Sequence, residues 1–492
     1  MYDVKIAAYD ESFIQVSGEP SVRYDLHDKF KFYVDGSEFS PKVKYGVWDG
    51  YIRLYNLQQQ LLPKGLMIEL LKYCKEEQYS VDFDKSLIPQ GVAKEHFDQW
   101  LDKKKIVAKG NVIKPHWYQY DSVLHALNKE RALLKLPTSA GKSLIIALLT
   151  RHEFEAGGRT LILVPTDVLR GQMFDDLLDY ELFEEHDIFV FDPKNKKNTQ
   201  QGRRVVITTW QTAVKQSKEW MEQFTMLLND EVHLATGKSL QTINEKLTNA
   251  TYKLGLTGTL KDTKCHIMQL IALFGPVFAP ITTRQMIDEG SASAIGVHGL
   301  VLKYKDDECK LVKPMKYPEE IDFIVNHERR NDFLIKLATN FKDENTILLF
   351  HRVEHGKILY KKAVKALEGT GRKVYLIFGG TAKDHRTEAK KNLESETGSI
   401  VIASYGVFAT GVSINNLHNA IFAHPTKSKI ISLQSLGRLL RKHASKTKAR
   451  MFDIVDDISW LKAQNYAYGH GIERLKFYAQ EEHELSVKKV NI

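Results

Sequence analysis

A short turn in the first half of the chain carries residue types that bind phosphate. Residues 136–143 read LPTSAGKS and precede an apolar stretch of helical length. Gly141 permits a tight turn that points backbone N–H groups at phosphate oxygens, and the following helix presents its positive end to the same anion. Lys142 would neutralise the β- and γ-phosphates, and the Ser143 hydroxyl would bind Mg²⁺. The nucleotide contacts predicted here are Thr138, Ser139, Ala140, Gly141, Lys142 and Ser143.

This turn matches only the second half of the phosphate-loop pattern, because Leu136 stands where the first glycine normally falls. The alternative is an ordinary strand-to-helix turn. A second signal decides between them. Residues 226–233 read MLLNDEVH, an apolar run that ends in Asp230 and Glu231. Asp230 can hold Mg²⁺ and Glu231 can polarise the attacking water, so the two segments together predict a P-loop NTPase.

Short apolar runs alternate with helix-length segments from about residue 130 onwards, which predicts parallel sheets with helical crossovers. The rhythm restarts near residue 346, so we predict two α/β domains in tandem, separated by residues near 281–321. The predicted strands are Ala132–Leu136, Thr160–Val164, Val205–Thr208, Met226–Asn229 and Tyr252–Leu256, then Thr346–Phe350, Val374–Phe378, Ser399–Ala403, Ala420–Ala423 and Arg450–Ile454.

Residues 1–105 form a different region, a small mixed α/β domain. Aromatic and β-branched segments at Phe30–Val34 and Tyr51–Tyr55 predict strands, since turn signals interrupt them. A helix is predicted around Leu66–Glu77, and the charged run Asp102–Lys105 is predicted to be a connector.

Composition excludes several classes of protein. The chain has 492 residues, 43% of them hydrophobic, and only 3 cysteines, so neither a disulfide framework nor a cysteine-based zinc site is expected. No apolar run is long enough to span a membrane and no secretion signal is visible, so we expect a cytoplasmic protein. The formal net charge is +9, and its surplus lies after residue 280, which favours a polyanionic partner there.

These segments resemble the motifs of superfamily 2 (DExH-box) helicases, in the family's order, over about residues 115–445. Gln119 looks like the adenine-reading glutamine, and 137–143 is similar to motif I, although the family often has glycine at position 139. Motif V is similar at 404–413, but Ser413 stands where the family usually has an acidic residue or asparagine. The remaining similar segments are 164–166, 208–212, 230–233, 257–259, 347–350 and 434–441.

The resemblance implies an α/β fold with two tandem RecA-like parallel-sheet domains and a small N-terminal mixed α/β domain. The implied boundaries are 1–105, 106–282 and 283–492, the last with a C-terminal helical extension. It also implies ATP and Mg²⁺ in a cleft between the two RecA-like domains. The implied roles are catalysis for Lys142, Glu231, Gln434, Arg438 and Arg441, nucleotide binding for Gly411, metal binding for Ser143 and Asp230, and coupling for His233, Thr257 and Thr259.

Nucleic-acid contacts are predicted from the same resemblance to be made with phosphates and to be independent of sequence. The basic window Lys427–Arg450 has eight lysines and arginines and no acidic residue; part of it would face DNA, and the alternative is a solvated helix. In the N-terminal domain, bases interleave with aromatics, although Trp48 could equally belong to the core. The candidate contacts are Thr166, Thr209, Gln211 and Thr410, with Lys44, Trp48 and Arg53 in the N-terminal domain.

A closer similarity, from end to end, is to the recombination helicases of T-even-type phages, on segments that include 45–50 and 229–237. It implies unwinding of R-loops and D-loops and branch migration in recombination-dependent replication and repair. We expect a monomer in the host cytoplasm that binds branched or single-stranded DNA, with recombination or single-strand-binding proteins as candidate partners. One alternative is a helicase for RNA or RNA–DNA hybrids. Another is an annealing protein with a vestigial ATP site.

Overall fold

The computed structural model describes residues 2–193, 202–260, 263–410, 414–426, 448–480 and 484–492, together with residues 443 and 446. The chain divides into two compact units, residues 1–281 and 282–492. The predicted boundary at residue 105 falls inside the first unit. No helix within the described ranges is long and apolar enough to cross a bilayer.

The first unit is built around a seven-stranded sheet whose strand pairs are all parallel. The strands are apolar along their length because both faces of such a sheet are covered, and 161–164 are fully buried. The five predicted strands match the observed ones to within one residue at each end. The strands, in the spatial order β11-β12-β10-β13-β14-β9-β15, are Ile188–Val190, Val205–Thr209, Thr160–Val164, Met226–Asn229, Tyr252–Thr257, Arg131–Lys135 and Val277–Phe278.

Helices cover this sheet and connect its strands. They are α5 (Trp117–Lys129), α6 (Lys142–Glu155), α7 (Asp167–Asp179), α8 (Trp210–Ala213), α9 (Lys218–Met221), α10 (Gly237–Lys246) and α11 (Lys264–Phe274). The phosphate-loop segment and the acidic pair each follow a strand, so their side chains lie at the carboxyl edge of the sheet.

The N-terminal region adds a four-stranded mixed sheet, in the order β5-β2-β1-β6, and two short hairpins. The predicted strands near residues 30–34 and 51–55 pair with each other in one hairpin, whereas the four-stranded sheet was not predicted. The elements are β1 (Val4–Ala8), β2 (Phe13–Gly18), β3 (Lys31–Tyr33), β4 (Tyr51–Arg53), β5 (Leu61–Pro63), β6 (Val81–Phe83), β7 (Ile106–Ala108), β8 (Asn111–Ile113), α1 (Pro20–Lys29), α2 (Pro41–Lys44), α3 (Met67–Glu76) and α4 (Lys94–Asp102).

This N-terminal sheet shares its hydrophobic core with α11, a helix that packs on the seven-stranded sheet, through Ala272 and Ile271. A Cβ atom at Gly65 would lie 2.2 Å from the carbonyl oxygen of Ile271, so only glycine allows this close approach. The buried Lys253 adds a polar contact: its Nζ donates to Ser12 Oγ at 2.5 Å and to Asn244 Oδ1 at 3.1 Å. The N-terminal region and the first RecA-like sheet are therefore packed as one body.

The second unit contains another seven-stranded parallel sheet, in the order β18-β19-β17-β20-β21-β16-β22, which confirms the two-sheet prediction. Two aspartates of β21 are buried opposite arginines: Arg330 pairs with Asp456 and Arg474 pairs with Asp453. The strands, from β16 to β22, are Ala294–Lys303, Thr346–Phe350, Val374–Ile377, Ile400–Ser404, Asn419–Phe422, Lys448–Asp457 and Glu484–Asn491; the helices, from α12 to α19, are Thr283–Asp288, Asp306–Val312, Tyr317–Asn326, Glu328–Thr339, Val353–Ala366, Lys383–Ser395, Tyr405–Thr410 and Tyr466–Gln480.

Two features of this unit differ from the sequence-based expectation. Residues 281–321 were expected to separate the domains, yet β16 lies among them and pairs over ten residues with β21. The C-terminal extension was expected to be helical, but after α19 it ends in β22, which pairs in parallel with β16. The sheet explains both differences, since β16 lies between β21 and β22.

Candidate active site

The phosphate loop leaves β9 at its carboxyl end and enters α6. Leu136 is fully buried and its N–H donates to the carbonyl of Thr257 at 2.9 Å, so it extends the sheet instead of opening the turn. The turn is made further on, where Ser139 and Gly141 have φ values of 71° and 74°. Ser139 thus takes the left-handed conformation that glycine adopts most easily, at the position where the helicase family often has glycine.

Gln119 of α5 is almost fully buried against this loop. Its Oε1 accepts from the His116 N–H at 2.8 Å, and its Nε2 donates to the carbonyl of Ala140 at 2.8 Å. A Cβ atom at Gly141 would lie 2.3 Å from the same Nε2. Gln119 therefore holds the loop backbone in place, and adenine recognition by this residue stays a prediction.

The acidic pair follows β13, beside the phosphate loop. The Asp230 N–H donates to the carbonyl of Leu163 at 2.8 Å, which fixes the residue at the end of the sheet. Burial and the neighbouring Glu231 raise the pKa of Asp230 to about 7, while Lys142 opposes that shift. Among the described residues, Asp230 Oδ1 has no hydrogen-bond partner although it is shielded from solvent. A shielded, unpaired carboxylate oxygen is a ligand that Mg²⁺ takes, and the hydroxyl of Ser143, in the first turn of α6, is a second oxygen donor, so the residue types fit this ion.

Glu231 of the acidic pair and Lys142 of the phosphate loop form an ion pair. Glu231 Oε1 is 3.8 Å from Lys142 Nζ, and Glu231 Oε2 is 3.4 Å from Nδ1 of His233. Glu231 has a φ of 47°, so the chain turns sharply directly after the strand. After this turn the carboxylate lies within 4 Å of both Lys142 and His233.

The residues predicted to couple nucleotide state to motion form one hydrogen-bonded cluster. His233 is fully buried, and its Nδ1 is 2.7 Å from Oγ1 of Thr257. That hydroxyl donates to the carbonyl of Thr259 at 2.6 Å and accepts from the Thr259 N–H at 3.2 Å. Because the single hydroxyl proton is used toward Thr259, His233 donates from Nδ1. A Cβ atom at Gly258, between them, would be 3.6 Å from Lys142 Nζ, so this cluster touches the phosphate loop.

Two predicted nucleic-acid contacts meet at the ends of the adjacent strands β10 and β12. Thr166 caps α7 by accepting from the Leu169 N–H at 3.3 Å, and the exposed Gln211 donates to the carbonyl of Pro165 at 3.1 Å. Thr209 is different because it is buried and its hydroxyl donates to Thr212 Oγ1 at 3.0 Å. Its side chain therefore supports the turn, which leaves Thr166 and Gln211 at the surface.

The N-terminal candidates divide in the same way. Trp48 donates from its indole nitrogen to the carbonyl of Tyr51 at 2.7 Å, and Arg53 pairs with Asp49, so both have structural partners. The Arg53 guanidinium lowers the pKa of Asp49 to about 2. Lys44 is exposed, and so is Tyr45, whose exposed fraction of 83% is unusual for an aromatic side chain.

Several predicted residues lie outside the described part of the chain, namely Gln434, Arg438, Arg441 and Gly411. The side chain of Thr410, the last residue of α18, is also outside it. In the described part of the basic window, Lys448 pairs with Glu484, Arg450 pairs with Glu344, and Lys446 donates to the carbonyl of Asn415. These three cations are therefore engaged within the second unit.

One contact at the phosphate loop was not predicted. The hydroxyl of Tyr180 lies 2.8 Å from Oγ of Ser143. No motif marks Tyr180, which follows the last residue of α7, so no signal in the sequence could have found it.

Three family models match successive parts of the chain. The N-terminal domain of the DNA helicase UvsW matches residues 3–84, the res subunit of type III restriction enzymes matches 93–262, and the helicase conserved C-terminal domain matches 329–443. The ATP-dependent DNA helicase uvsW of Enterobacteria phage T4 is 40% identical over 506 aligned positions, which cover 100% of both chains. This chain belongs to the UvsW family of ATP-dependent DNA helicases.

Solved structures agree with membership of the UvsW family. A crystal structure of T4 UvsW is 39% identical, covers 99% of both chains and superposes with a TM-score of 0.55. A more distant relative, the DNA 3'-5' translocase XPB2 of Sulfurisphaera tokodaii, is 24% identical over 66% of this chain and 78% of its own length. Yeast Dbp5 bound to RNA and ADP BeF3 is 14% identical, covers 77% of this chain and 90% of its own, and has a TM-score of 0.52, so it shows the fold alone.

Proposed function

We propose that this chain uses Mg²⁺-ATP to unwind branched DNA, R-loops and D-loops and to drive branch migration in recombination-dependent replication and repair. The observation that carries the proposal is the full-length similarity to T4 UvsW, together with an intact arrangement of Lys142, Asp230 and Glu231. These three residues argue against a vestigial ATP site. We also propose that the protein acts as a monomer in the host cytoplasm, beside recombination and single-strand-binding proteins.

The first RecA-like sheet supplies one side of the proposed hydrolysis site. Lys142 would neutralise the transferred phosphoryl group, and Ser143 and Asp230 would hold Mg²⁺, which polarises the phosphate oxygens when bound. Glu231 would orient the attacking water and accept its proton. Arg438 and Arg441 are predicted to stabilise charge on the γ-phosphate, and Gln434 is predicted to respond to it with His233.

Replacement of Glu231 by glutamine tests the hydrolysis site most directly. Glu231→Gln keeps the side-chain shape but removes the base, so we expect ATP turnover to fall about 10²- to 10⁴-fold while ATP binding remains. Lys142→Ala should abolish hydrolysis and leave salt-sensitive DNA binding, and Arg441→Ala should retain ATP binding without turnover. Exposed Lys103→Ala is a matched control for the lysine variant. Normal turnover in Glu231→Gln would refute the assignment.

The substrate class is tested by a panel of equal-length substrates. ATP-dependent unwinding is measured on a DNA fork, a four-way junction, an R-loop and an RNA duplex, with Glu231→Gln protein as the inactive control. Faster remodelling of the junction and R-loop than of the RNA duplex supports the proposal. Activity on RNA alone would favour an RNA helicase, and annealing without ATP turnover would favour the vestigial-site alternative.

We propose that the exposed residues Lys44 and Tyr45 form the nucleic-acid contact of the N-terminal region. Base stacking on an aromatic ring contributes about 1–3 kcal/mol, so Tyr45→Ala should weaken junction binding roughly 5- to 150-fold. Val47→Ala, at a neighbouring position that is 75% exposed and lacks a ring, is the control. Trp48→Phe should instead lower the melting temperature, because it removes the indole hydrogen bond to Tyr51. Equal junction binding by Tyr45→Ala and wild type would exclude this surface.

A further inference from the structure

Tyr180 is the only described residue outside the family motifs whose side chain is hydrogen-bonded to the Ser143 hydroxyl, with its Oη 2.8 Å from Ser143 Oγ. Tyr180 follows α7 directly and is partly buried against α6. Ser143 is the residue of α6 that the proposed function assigns to Mg²⁺. The contact therefore links a residue with no assigned role to the oxygen that would bind the ion.

The backbone around Tyr180 is held on two sides, which fixes the point from which the phenol extends toward Ser143. On one side, the β7–β8 hairpin contacts the end of α7. The Val107 N–H donates to the carbonyl of Tyr180 at 3.2 Å, and the Lys109 N–H donates to the Asp179 carboxylate at 3.0 and 3.1 Å. On the other side, Arg151 of α6 donates to the carbonyl of Leu182 at 2.7 Å.

The chemistry of the two hydroxyl groups decides which of them donates the hydrogen bond once a cation binds to Ser143. A serine hydroxyl has one proton and two lone pairs, so a proton donated to Tyr180 Oη leaves the lone pairs of Ser143 free for a metal ion. The phenol is neutral at physiological pH, as tyrosine side chains ordinarily are. A neutral phenol keeps its own proton and still accepts one hydrogen bond.

We propose that Tyr180 is a positioning residue, which accepts the Ser143 proton and thereby turns the serine oxygen toward the ion bound with the nucleotide. The proposal rests on the proposed function, because it takes Ser143 as a ligand of Mg²⁺. When a neighbouring residue hydrogen-bonds to a metal ligand on the side away from the ion, it orients the ligand and increases metal affinity. The hairpin β7–β8, which links the N-terminal region to α5, takes part by holding the Tyr180 backbone.

The test uses the full chain and the variant Tyr180→Phe, which removes the hydroxyl and keeps the ring. Mg²⁺ is titrated into protein that holds a fluorescent ADP analogue, and the Mg²⁺ midpoint is compared with nucleotide affinity in EDTA. Loss of one hydrogen bond should raise the midpoint about 2- to 12-fold and leave the affinity in EDTA unchanged. A single cooperative thermal transition, at a melting temperature slightly below that of wild type, shows that the variant is folded. Tyr252→Phe, at another partly buried tyrosine of the first unit, is the control and should behave as wild type.

A second pair of variants separates this inference from the proposed function. Ser143→Ala should raise the Mg²⁺ midpoint, and Tyr180→Phe should add nothing in that background. Three results would overturn the role of Tyr180 without affecting the assignment of Ser143 to Mg²⁺. They are an unchanged Mg²⁺ midpoint in Tyr180→Phe alone, an equal shift of the midpoint in the wild-type and Ser143→Ala backgrounds, and weaker binding of the ADP analogue in EDTA. An unchanged midpoint in Ser143→Ala would overturn the assignment of Ser143 to Mg²⁺, and the role of Tyr180 with it.

Discussion

Substitution of Gly141 by alanine perturbs the phosphate loop in a way that the structure allows to be worked out. Gly141 has a φ of 74°, where an L-residue costs about 1–2 kcal/mol. The added Cβ would also lie 2.3 Å from Nε2 of Gln119, so that side chain must move. Moving it breaks hydrogen bonds to His116 and Ala140, at a cost of about 1–3 kcal/mol for buried groups. The total is about 2–5 kcal/mol of the unfolding free energy.

The second variant needed is Gln119→Ala, which removes the obstructing amide in advance. In that background, Gly141→Ala should cost only the backbone term of about 1–2 kcal/mol, because nothing remains for the methyl group to displace. Urea unfolding of the four proteins of this double-mutant cycle gives the coupling energy. Gly157→Ala is the control, since its φ is 86° and no atom lies within 4 Å of its Cβ position. Equal costs of Gly141→Ala in both backgrounds would refute the predicted clash.

Three further outcomes are expected. Thr257→Val should keep nucleotide binding but reduce the ratio of DNA-stimulated to basal ATPase rate, because the hydroxyl that joins His233 to the loop is lost; an unchanged ratio would contradict this. Arg330→Met leaves the Asp456 carboxylate buried without its partner and should lower the unfolding free energy by about 3–5 kcal/mol, measured in urea. Burial lowers the pKa of His424 to about 3, so its contribution to stability is complete above pH 6.5 and is lost as the pH falls. Below pH 6.5, the unfolding free energy of wild type should therefore fall more steeply with decreasing pH than that of His424→Leu, and the difference in slope should be about 1.4 kcal/mol per pH unit. Parallel curves for the two proteins would contradict the burial argument.

The parts of the fold that were predictable are those in which one physical signal dominates. Strands such as Thr160–Val164 and Met226–Asn229 are buried on both faces, so they appear in the sequence as apolar runs with sharp ends. The two carboxylates predicted to act in hydrolysis, Asp230 and Glu231, follow such an end directly, and this is why their place at the edge of the sheet could be inferred.

Other strands have weaker signals. The strand Ala294–Lys303 contains two glycines and a histidine, and prolines soon follow, so the segment looks like irregular backbone until its neighbours in the sheet are known. The strand Glu484–Asn491 lies at the sheet edge and is largely exposed, so its polar composition does not distinguish it from a helix end.

The residues of the candidate active site likewise differ in how well the sequence predicts them. Lys142 and Asp230 carry chemistry that follows from residue type and local spacing. By contrast, the buried state of Thr209, the partners of Trp48 and the contact between Tyr180 and Ser143 depend on how separate segments pack, which no single-sequence pattern contains. The positive φ of Ser139 lies between these cases: the family's preference for glycine at that position agrees with it, but no backbone conformation was predicted from that preference.

The core shared by the N-terminal sheet and α11 limits which truncations and domain exchanges this protein can tolerate. A shortened chain that lacked residues 1–105 would expose the apolar side of α11 around Ile271 and leave the Lys253 side-chain nitrogen without the Ser12 hydroxyl. The N-terminal region is consequently not an independent domain that can be removed. Exchanging it for the corresponding region of a relative requires matching substitutions on α10 and α11. Modular swaps in this family should be cut after residue 281 instead.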